Sequence, residues 1–440
     1  MRLSGWGRFP RLNCRVRAPR AEAEVAALVA EGRLIARGLG RAYGDSAMSA
    51  ANTLDMRRFD RMISFDAATG RLVAEAGARL ADVIAAFLPR GWFPAVTPGT
   101  KFVTLGGMIA SDVHGKNHHR DGSMASTVDW IDVMGADGTV RRCSPKRNAA
   151  LFEWTLGGMG LTGVILRAAI RLRRVETGWI RQETIPAPSL AAAMATIEAR
   201  PEASYSVAWI DCLARGPDLG RSLVMLGEHA RPGDLPEARR AAPFDTPRRR
   251  AMTVPFDLPA IALSGPAVRA FNALYWWAGR RGAGMRLVDW DSYFYPLDAV
   301  AHWNRIYGGR GLAQFQVVLP PETAEAGLAA LLAATAEAGQ GSFLAVLKKF
   351  GPGRGGLSFP REGWTLALDF PVNRRSLALL AELDRIGLDH GGRFYLAKDA
   401  RLTPALLRAA DPRAEEFAQM RRAGGTRPAF ASAQSERLDL

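Results

Sequence analysis

"RGLGRAYGD", residues 37–45, places three glycines in nine positions and carries a tyrosine and an aspartate beside the last of them. Glycine at this density lets a backbone bend sharply and approach a ligand, so the stretch reads as a phosphate-cradling loop. A Rossmann loop needs GxGxxG between a strand and a helix, because the helix N-terminus must face the pyrophosphate. Gly38, Gly40 and Gly44 are spaced GxGxxxG and miss that pattern. Gly158, Gly160 and Gly163 match it, but the residues after them, VILRAAIRLRR (164–174), alternate apolar side chains with Arg167, Arg171 and Arg173. That is a strand period, so the match does not mark a dinucleotide fold. Two further glycine segments, 97–119 and 156–163, also lie beside strands. Three loops able to offer clustered N–H groups point to one large ligand.

Working outward, 440 residues exceed one ordinary hydrophobic core and predict two domains. A charged fraction of 23% beside 48% apolar residues is a globular balance. The basic N-terminus has no apolar stretch of the kind a signal peptide needs, and no window is long enough to span a membrane, so a cytoplasmic location is expected. Cys14, Cys143 and Cys212 are far apart and form no CxxC, which argues against a disulfide framework or a zinc site and fits a reducing compartment. The net charge of +15 suits an anionic partner, and arginine bias in an alanine-rich chain accounts for it equally well. A nucleic-acid binder is the reading from another class, and helix-turn-helix or aromatic RNA-binding signatures for it are missing.

Up to residue 176 the chain is glycine-rich with short strands. RAEAEVAALVAEG (20–32) is a helix entered after Pro19 and ended by Gly32, 71–94 reads as strand, turn and helix, and 126–145 is a hairpin turning at Asp137-Gly138. Later, the segments 313–320, 321–339, 342–351, 364–371, 374–391 and 393–398 read as βαββαβ, the order of a ferredoxin-like sheet. Residues 229–252 are rich in proline and arginine and read as a long surface loop; no internal repeat is visible.

The three glycine segments in this order resemble the FAD-binding domain of the vanillyl-alcohol oxidase and p-cresol methylhydroxylase (PCMH-type) superfamily. With LSGWGR (3–8), YPLDAVAHWNRIYG (295–308), KKFGP (348–352), LSFP (357–360), GGRFYLAKDAR (391–401) and FASAQSERLDL (430–440), the chain is similar over nearly its whole length to the decaprenylphosphoryl-ribose 2-oxidase family, flavoproteins that form half of an arabinose-donor epimerase. The resemblance implies an α+β fold of two domains: a PCMH-type FAD-binding domain over 1–176 completed by 393–440, and a substrate domain over 177–392 built on an antiparallel ferredoxin-like sheet. It implies that FAD contacts fall on Arg37, Gly38, Leu39, Gly40, Arg41, Ala42, Tyr43, Gly44 and Asp45, on Gly99, Thr104, Leu105, Gly106 and Gly107, on His114, Gly115, Lys116 and Asn117, and on Val164 and Tyr395. Arg41 stands where many relatives carry the histidine that bonds the flavin, so the resemblance implies non-covalent FAD.

The reaction implied is oxidation of the 2′-hydroxyl of a polyprenylphosphoryl ribose, a short-chain reductase partner completing the epimerisation. A soluble sugar, alditol or aldonolactone oxidase of the same superfamily is the alternative. Lys398 is the leading catalytic candidate, as base or as charge stabiliser, with Tyr43 and His114 beside it and Lys116, Gln314, Gln316 and Lys348 contacting substrate. Read without the resemblance, Gln314 and Gln316 are ordinary alternating strand residues. Ala367 occupies the position of a cysteine in mycobacterial members, so thiol-targeting compounds are expected not to react there. His114, His118 and His119 near Asp112 and Asp121 sit in a loop and lack the helical i, i+4 spacing of a metal pair; no metal is expected. The aromatic and arginine residues of 271–287 suit peripheral contact with the inner membrane, or else Tyr275, Trp276 and Trp277 pack in the core.

Overall fold

In the first helix, Glu22–Ala30, the buried side chains Val25, Leu28 and Val29 recur at helical spacing, and Glu22 and Glu24 complement the positive end of the dipole. A computed structural model describes residues 1–247, 249–259 and 263–440 of this chain. That apolar face covers a small parallel sheet in which Asn52–Asp55 lies between Val16–Arg17 and Leu34–Arg37. A second, antiparallel sheet is centred on Val164–Arg174, flanked by Val128–Met134 and Arg71–Glu75. Its arginines point off the core, Arg167 to Asp132 and Glu22 and Arg171 to Asp129. The glycine pattern at 158–163 therefore leads into a strand, and the hairpin beside it turns at Gly138, whose φ of 74° needs no Cβ.

The second region contains the ferredoxin-like order twice. Strand Trp179–Ala187, helix Leu190–Glu198, strands Tyr205–Ile210 and Ser222–His229, helix Gly265–Arg281 and strand Gly284–Asp289 form one unit. Strand Leu312–Leu319, helix Pro321–Ala338, strands Val346–Phe350 and Gly363–Pro371, helix Arg374–Asp389 and strand Arg393–Phe394 form the other. In each, the fourth strand pairs with the first, the first with the third and the third with the second. The two second strands meet at Ala208–Leu347 and Trp209–Val346, giving one antiparallel sheet of eight strands. The expected absence of a repeat is thus corrected at the level of topology. The duplication is hidden because the first unit's last crossover carries the insertion 230–264, and because strand pairing depends on period and not on residue identity.

Two local expectations also change. The last strand is only Arg393–Phe394; from Tyr395 the chain turns, with the Lys398 amide bonded back to the Tyr395 carbonyl. Within 229–252, Glu237–Arg240 is a helical turn and Met252–Thr253 pairs in parallel with Val300–Ala301, while Arg248 lies outside the described residues. The helices of both units share one buried cluster on one face of the large sheet. On the opposite face Ile180 and Tyr205 pack with Phe93, Phe152 and Ile170 of the first region.

The C-terminal segment returns to the beginning of the chain. Phe430 joins the cluster under the first helix and the Ala431 amide bonds the Leu34 carbonyl. Arg437 bridges Asp45 in the first glycine loop and Asp399, each at 2.8 Å, and both carboxylates are almost wholly buried. Arg437→Met leaves these two acids without a counter-charge, so a loss of about 3 to 5 kcal/mol is expected, read from the denaturant midpoint.

Candidate functional site

Strand alternation sets the chemistry of the face opposite the helices. Leu312–Leu319 pairs with Gly363–Pro371 in the register Gln314–Asp369, Gln316–Ala367 and Val318–Thr365, and Lys348 lies across from Thr365 on the next strand. Residues opposite one another share a face, so Gln314, Gln316, Asp369, Thr365, Ala367 and Lys348 form one polar patch while Phe315, Leu366 and Leu368 face the helices. Gln316 Nε2 bridges His114 Nε2 at 3.1 Å and Thr365 Oγ1 at 3.3 Å. The Gln314 side-chain amide donates to Asp369 Oδ1.

The glycine loops close over this patch. A Cβ on Gly38 would strike Thr104 Oγ1, and one on Gly44 would strike the Asp399 carbonyl, so the first loop is pinned both to the second loop and to the turn carrying Lys398. The Tyr43 amide bonds the Ala397 carbonyl at 2.9 Å, and Lys398 Nζ stands 3.8 Å from the centre of the Tyr43 ring. Met159 and Gly157 of the third loop bond Ala110 and Ile109, and the Tyr395 hydroxyl bonds the Ser111 carbonyl at 2.9 Å. Thr104 caps the helix Leu105–Ala110 through the Gly107 amide. Among the described residues the amides of Gly38, Leu39, Gly40, Arg41 and Ala42 have no hydrogen-bond partner. A run of free N–H groups in a glycine turn is a cradle for a diphosphate, and it fits FAD.

Burial dominates the electrostatics. Lys116 is pushed down to about 7 and Lys348 to about 8 by loss of water, Lys116 further by the charge of Lys348. Lys398 is lowered by burial, against the pull of Asp369, and Asp369 is raised by burial, against the pull of Lys398. Burial together with Lys348 holds His114 neutral, well below its usual value, and Tyr43 stays un-ionised for the same reason of burial. His114 Nδ1, Gln314 Oε1, Asp369 Oδ2 and the Tyr307 hydroxyl are buried without partners, as polar groups awaiting a ligand would be.

The structure thus brings together Tyr43, His114, Gln314, Gln316, Lys348, Tyr395 and Lys398. Lys116 lies to one side, its ammonium 4.1 Å from the centre of the Tyr293 ring and bonded to the Tyr293 carbonyl. Gly115 fits against Asn117, whose side chain bonds Ala95 and Asp121, and Gly106 packs on Ala76. Gly99 faces open space. Four side chains are committed elsewhere: Arg37 to the carbonyls of Ser4 and Ala47, Asp45 to Arg437, Leu105 to the core around Phe93, and Val164 to the core around Phe430. Asp369 and Tyr307 belong to the group and are not evident from the glycine motifs. The signal for Asp369 was an acid at an alternating position of an otherwise apolar strand. Ala367 is partly open between Gln316 and Val346, and the three cysteines are buried elsewhere.

A diphosphate cradle beside a partly buried lysine and polar strand residues defines an FAD-dependent oxidoreductase. Residues 15–144 match the FAD binding domain family. The chain is 36% identical, over its full length and 97% of the relative, to decaprenylphosphoryl-beta-D-ribose oxidase of Mycolicibacterium smegmatis. It is 34% identical, over 82% of its length, to an uncharacterized protein in the mprA 5′ region of Streptomyces coelicolor, and 29% identical, over 30%, to L-gulonolactone oxidase of Mus musculus. It belongs to the family of the first of these, the FAD-binding oxidases typified by the M. smegmatis enzyme. Because Gly38 has no room for a methyl group, Gly38→Ala is expected to lower the ratio of flavin to protein absorbance several-fold, while Gly233→Ala, which meets nothing within 4 Å, leaves it unchanged.

Proposed function

We propose that this chain oxidises the 2′-hydroxyl of a polyprenylphosphoryl-β-D-ribose to the 2-keto sugar, the first half of an epimerisation that a short-chain reductase completes. The observation carrying the reading is the full-length similarity to an oxidase whose name states that substrate. Supporting it, Lys348 and Lys398 stand partly buried at the patch, with Asp369 beside Lys398 and Lys116 to one side, an excess of positive charge that suits a phosphorylated sugar. When bound, FAD accepts a hydride from the sugar carbon. Gln314 and Gln316 orient the sugar hydroxyls, neutral His114 donates or accepts a hydrogen bond without adding charge, and Tyr43 with Lys398 fixes the reacting oxygen. Arg41 donates to the Leu39 carbonyl and stacks on Trp6, with no imidazole to bond the flavin, which supports dissociable FAD.

The surface near the site supports contact with an anionic bilayer. Among the described residues, seven of the eleven exposed large apolar side chains fall within 252–285: Met252, Phe256, Phe271, Leu274, Tyr275, Trp277 and Met285. Trp277 is 51% exposed, which overturns the core-packing alternative for it. Arg249, Arg250, Arg269, Arg280, Arg281 and Arg286 accompany them against one acid, Asp257, which is paired with Arg8. Leu263 continues this segment into the cluster around Tyr43 and Trp303. No helix among the described residues is long and apolar enough to cross a membrane.

Stopped-flow bleaching of the flavin by polyprenylphosphoryl ribose, and none by free alditols, is the expected outcome; the reverse overturns the substrate assignment. Lys398→Ala should keep its FAD and lose substrate-dependent bleaching. Denaturation should release the flavin into the filtrate. Vesicles rich in phosphatidylglycerol should sediment the protein at low salt, the binding weakening as salt rises.

A further inference from the structure

Asp369 is wholly buried, and its position in the polar face is the most consequential feature of the site that the glycine motifs do not announce. Its Oδ1 accepts from Gln314, the residue directly opposite on the neighbouring strand, and its Oδ2 has no partner. The carboxylate is therefore held in one orientation with an unused lone pair. Its own amide is bonded to Ser342 Oγ at 3.0 Å, which fixes the backbone behind it. The charged and titratable groups that act on it from the surrounding elements are Lys398 from the turn after the last strand, Tyr43 from the first glycine loop and Tyr307 from the turn Trp303–Tyr307; Lys348, on the adjoining strand, acts through Lys398.

Lys398 and Asp369 feel each other's charge, yet neither carboxylate oxygen is bonded to the ammonium. Lys398 instead sits against the face of Tyr43, a surface that favours the charged form of an amine. An ammonium has donors and no lone pair, whereas Asp369 Oδ2 is an open acceptor. We propose that Asp369 accepts the proton of the substrate hydroxyl while Lys398, still charged, stabilises the oxygen as that proton leaves. The proposal rests on the sugar-oxidation reading of the site.

The hydroxyl O–H bond breaks and its proton goes to Asp369 Oδ2; the adjacent C–H bond breaks and its electron pair leaves as hydride to bound FAD; a C=O bond forms. The sugar is oxidised by two electrons and FAD is reduced by two. Asp369 is reset by giving its proton to water after the ketone departs. Burial raises the carboxyl from its usual range, which makes it a stronger base than an exposed aspartate once ionised. The active form has Asp369 ionised and Lys398 charged, so the rate rises with pH through the titration of the raised carboxyl and falls at higher pH as the lowered Lys398 ammonium loses its proton.

The test uses full-length holoprotein and Asp369→Asn, which is isosteric and keeps an oxygen for the Gln314 bond. FAD content should be unchanged, and flavin bleaching by polyprenylphosphoryl ribose should slow by about 10²- to 10⁴-fold. The acid limb of the rate–pH profile should vanish, and the pH-dependent change in bound-flavin absorbance without substrate should vanish with it. Added formate should restore rate to Asp369→Ala in proportion to its concentration, a recovery that a merely structural role does not give. Lys398→Arg should be slower yet keep the acid limb. Bleaching by Asp369→Asn within a few-fold of wild type, or an acid limb kept in Asp369→Asn and lost in Lys398→Arg, overturns the proposal. Should Asp369→Asn fail to hold FAD, a wild-type rate that is flat from about pH 5 to about pH 9 overturns it, and a rising limb retained by Lys398→Arg supports it. Substrate choice is scored on wild type alone, lipid-linked ribose against alditols, and whichever sugar bleaches the flavin is used for the variants, so failure of the substrate reading is distinguishable from failure of the Asp369 assignment.

Discussion

Withholding water from several ammonium groups at once is the condition on which this molecule is built. Lys348 and Lys398 stand partly buried near one face of the large sheet with Asp369 wholly buried beside Lys398, and Lys116 lies to one side against Tyr293. Such an arrangement is costly to assemble unless many neighbouring elements hold it. The holding is visible in the covalent economy of the site: Gly38 and Gly44 allow contacts that no other residue could make, and Tyr43 is fixed by its backbone while its ring carries a cation.

The eight-stranded sheet explains why the imbalance can exist. Its helices all occupy one face, and the flavin-binding region covers the other, so alternate side chains of the same strands are sorted into a dry apolar core and a polar chamber. The sorting is sharpest where Gln314, Gln316, Thr365, Ala367, Asp369 and Lys348 come into register. The first unit of the sheet, although it repeats the same strand order, presents Ile180 and Tyr205 at its interdomain face. One topology therefore presents a polar wall in one copy and a packing surface in the other.

Much of this was legible in the chain. The three glycine loops, the hairpin at Gly138 and the βαββαβ order could be read from period and turn residues, and Tyr43, His114 and Lys398 followed from the family resemblance. What escaped reading did so for physical reasons. RFYLAK looks like a strand because its residues are apolar, yet beyond Phe394 the chain turns with Tyr395, Leu396 and Ala397 all buried, where burial on every side erases the alternation that distinguishes strand from turn. The duplicated sheet is invisible because pairing across it is made by backbone groups, and a long insertion displaces its last helix and strand. Asp369 is hidden in a run whose apolar character marks a strand and masks its one acid.

The bridge from Asp45 through Arg437 to Asp399 has a bearing on how the protein is made. The first glycine loop is made early, whereas Arg437, which holds its Asp45, lies 392 residues further along the chain. Closing that bridge joins segments far apart in sequence, a non-local contact of the kind that slows folding. A loop fastened in this way reaches its final form only when distant segments have come together, so its order reports the folding of the whole.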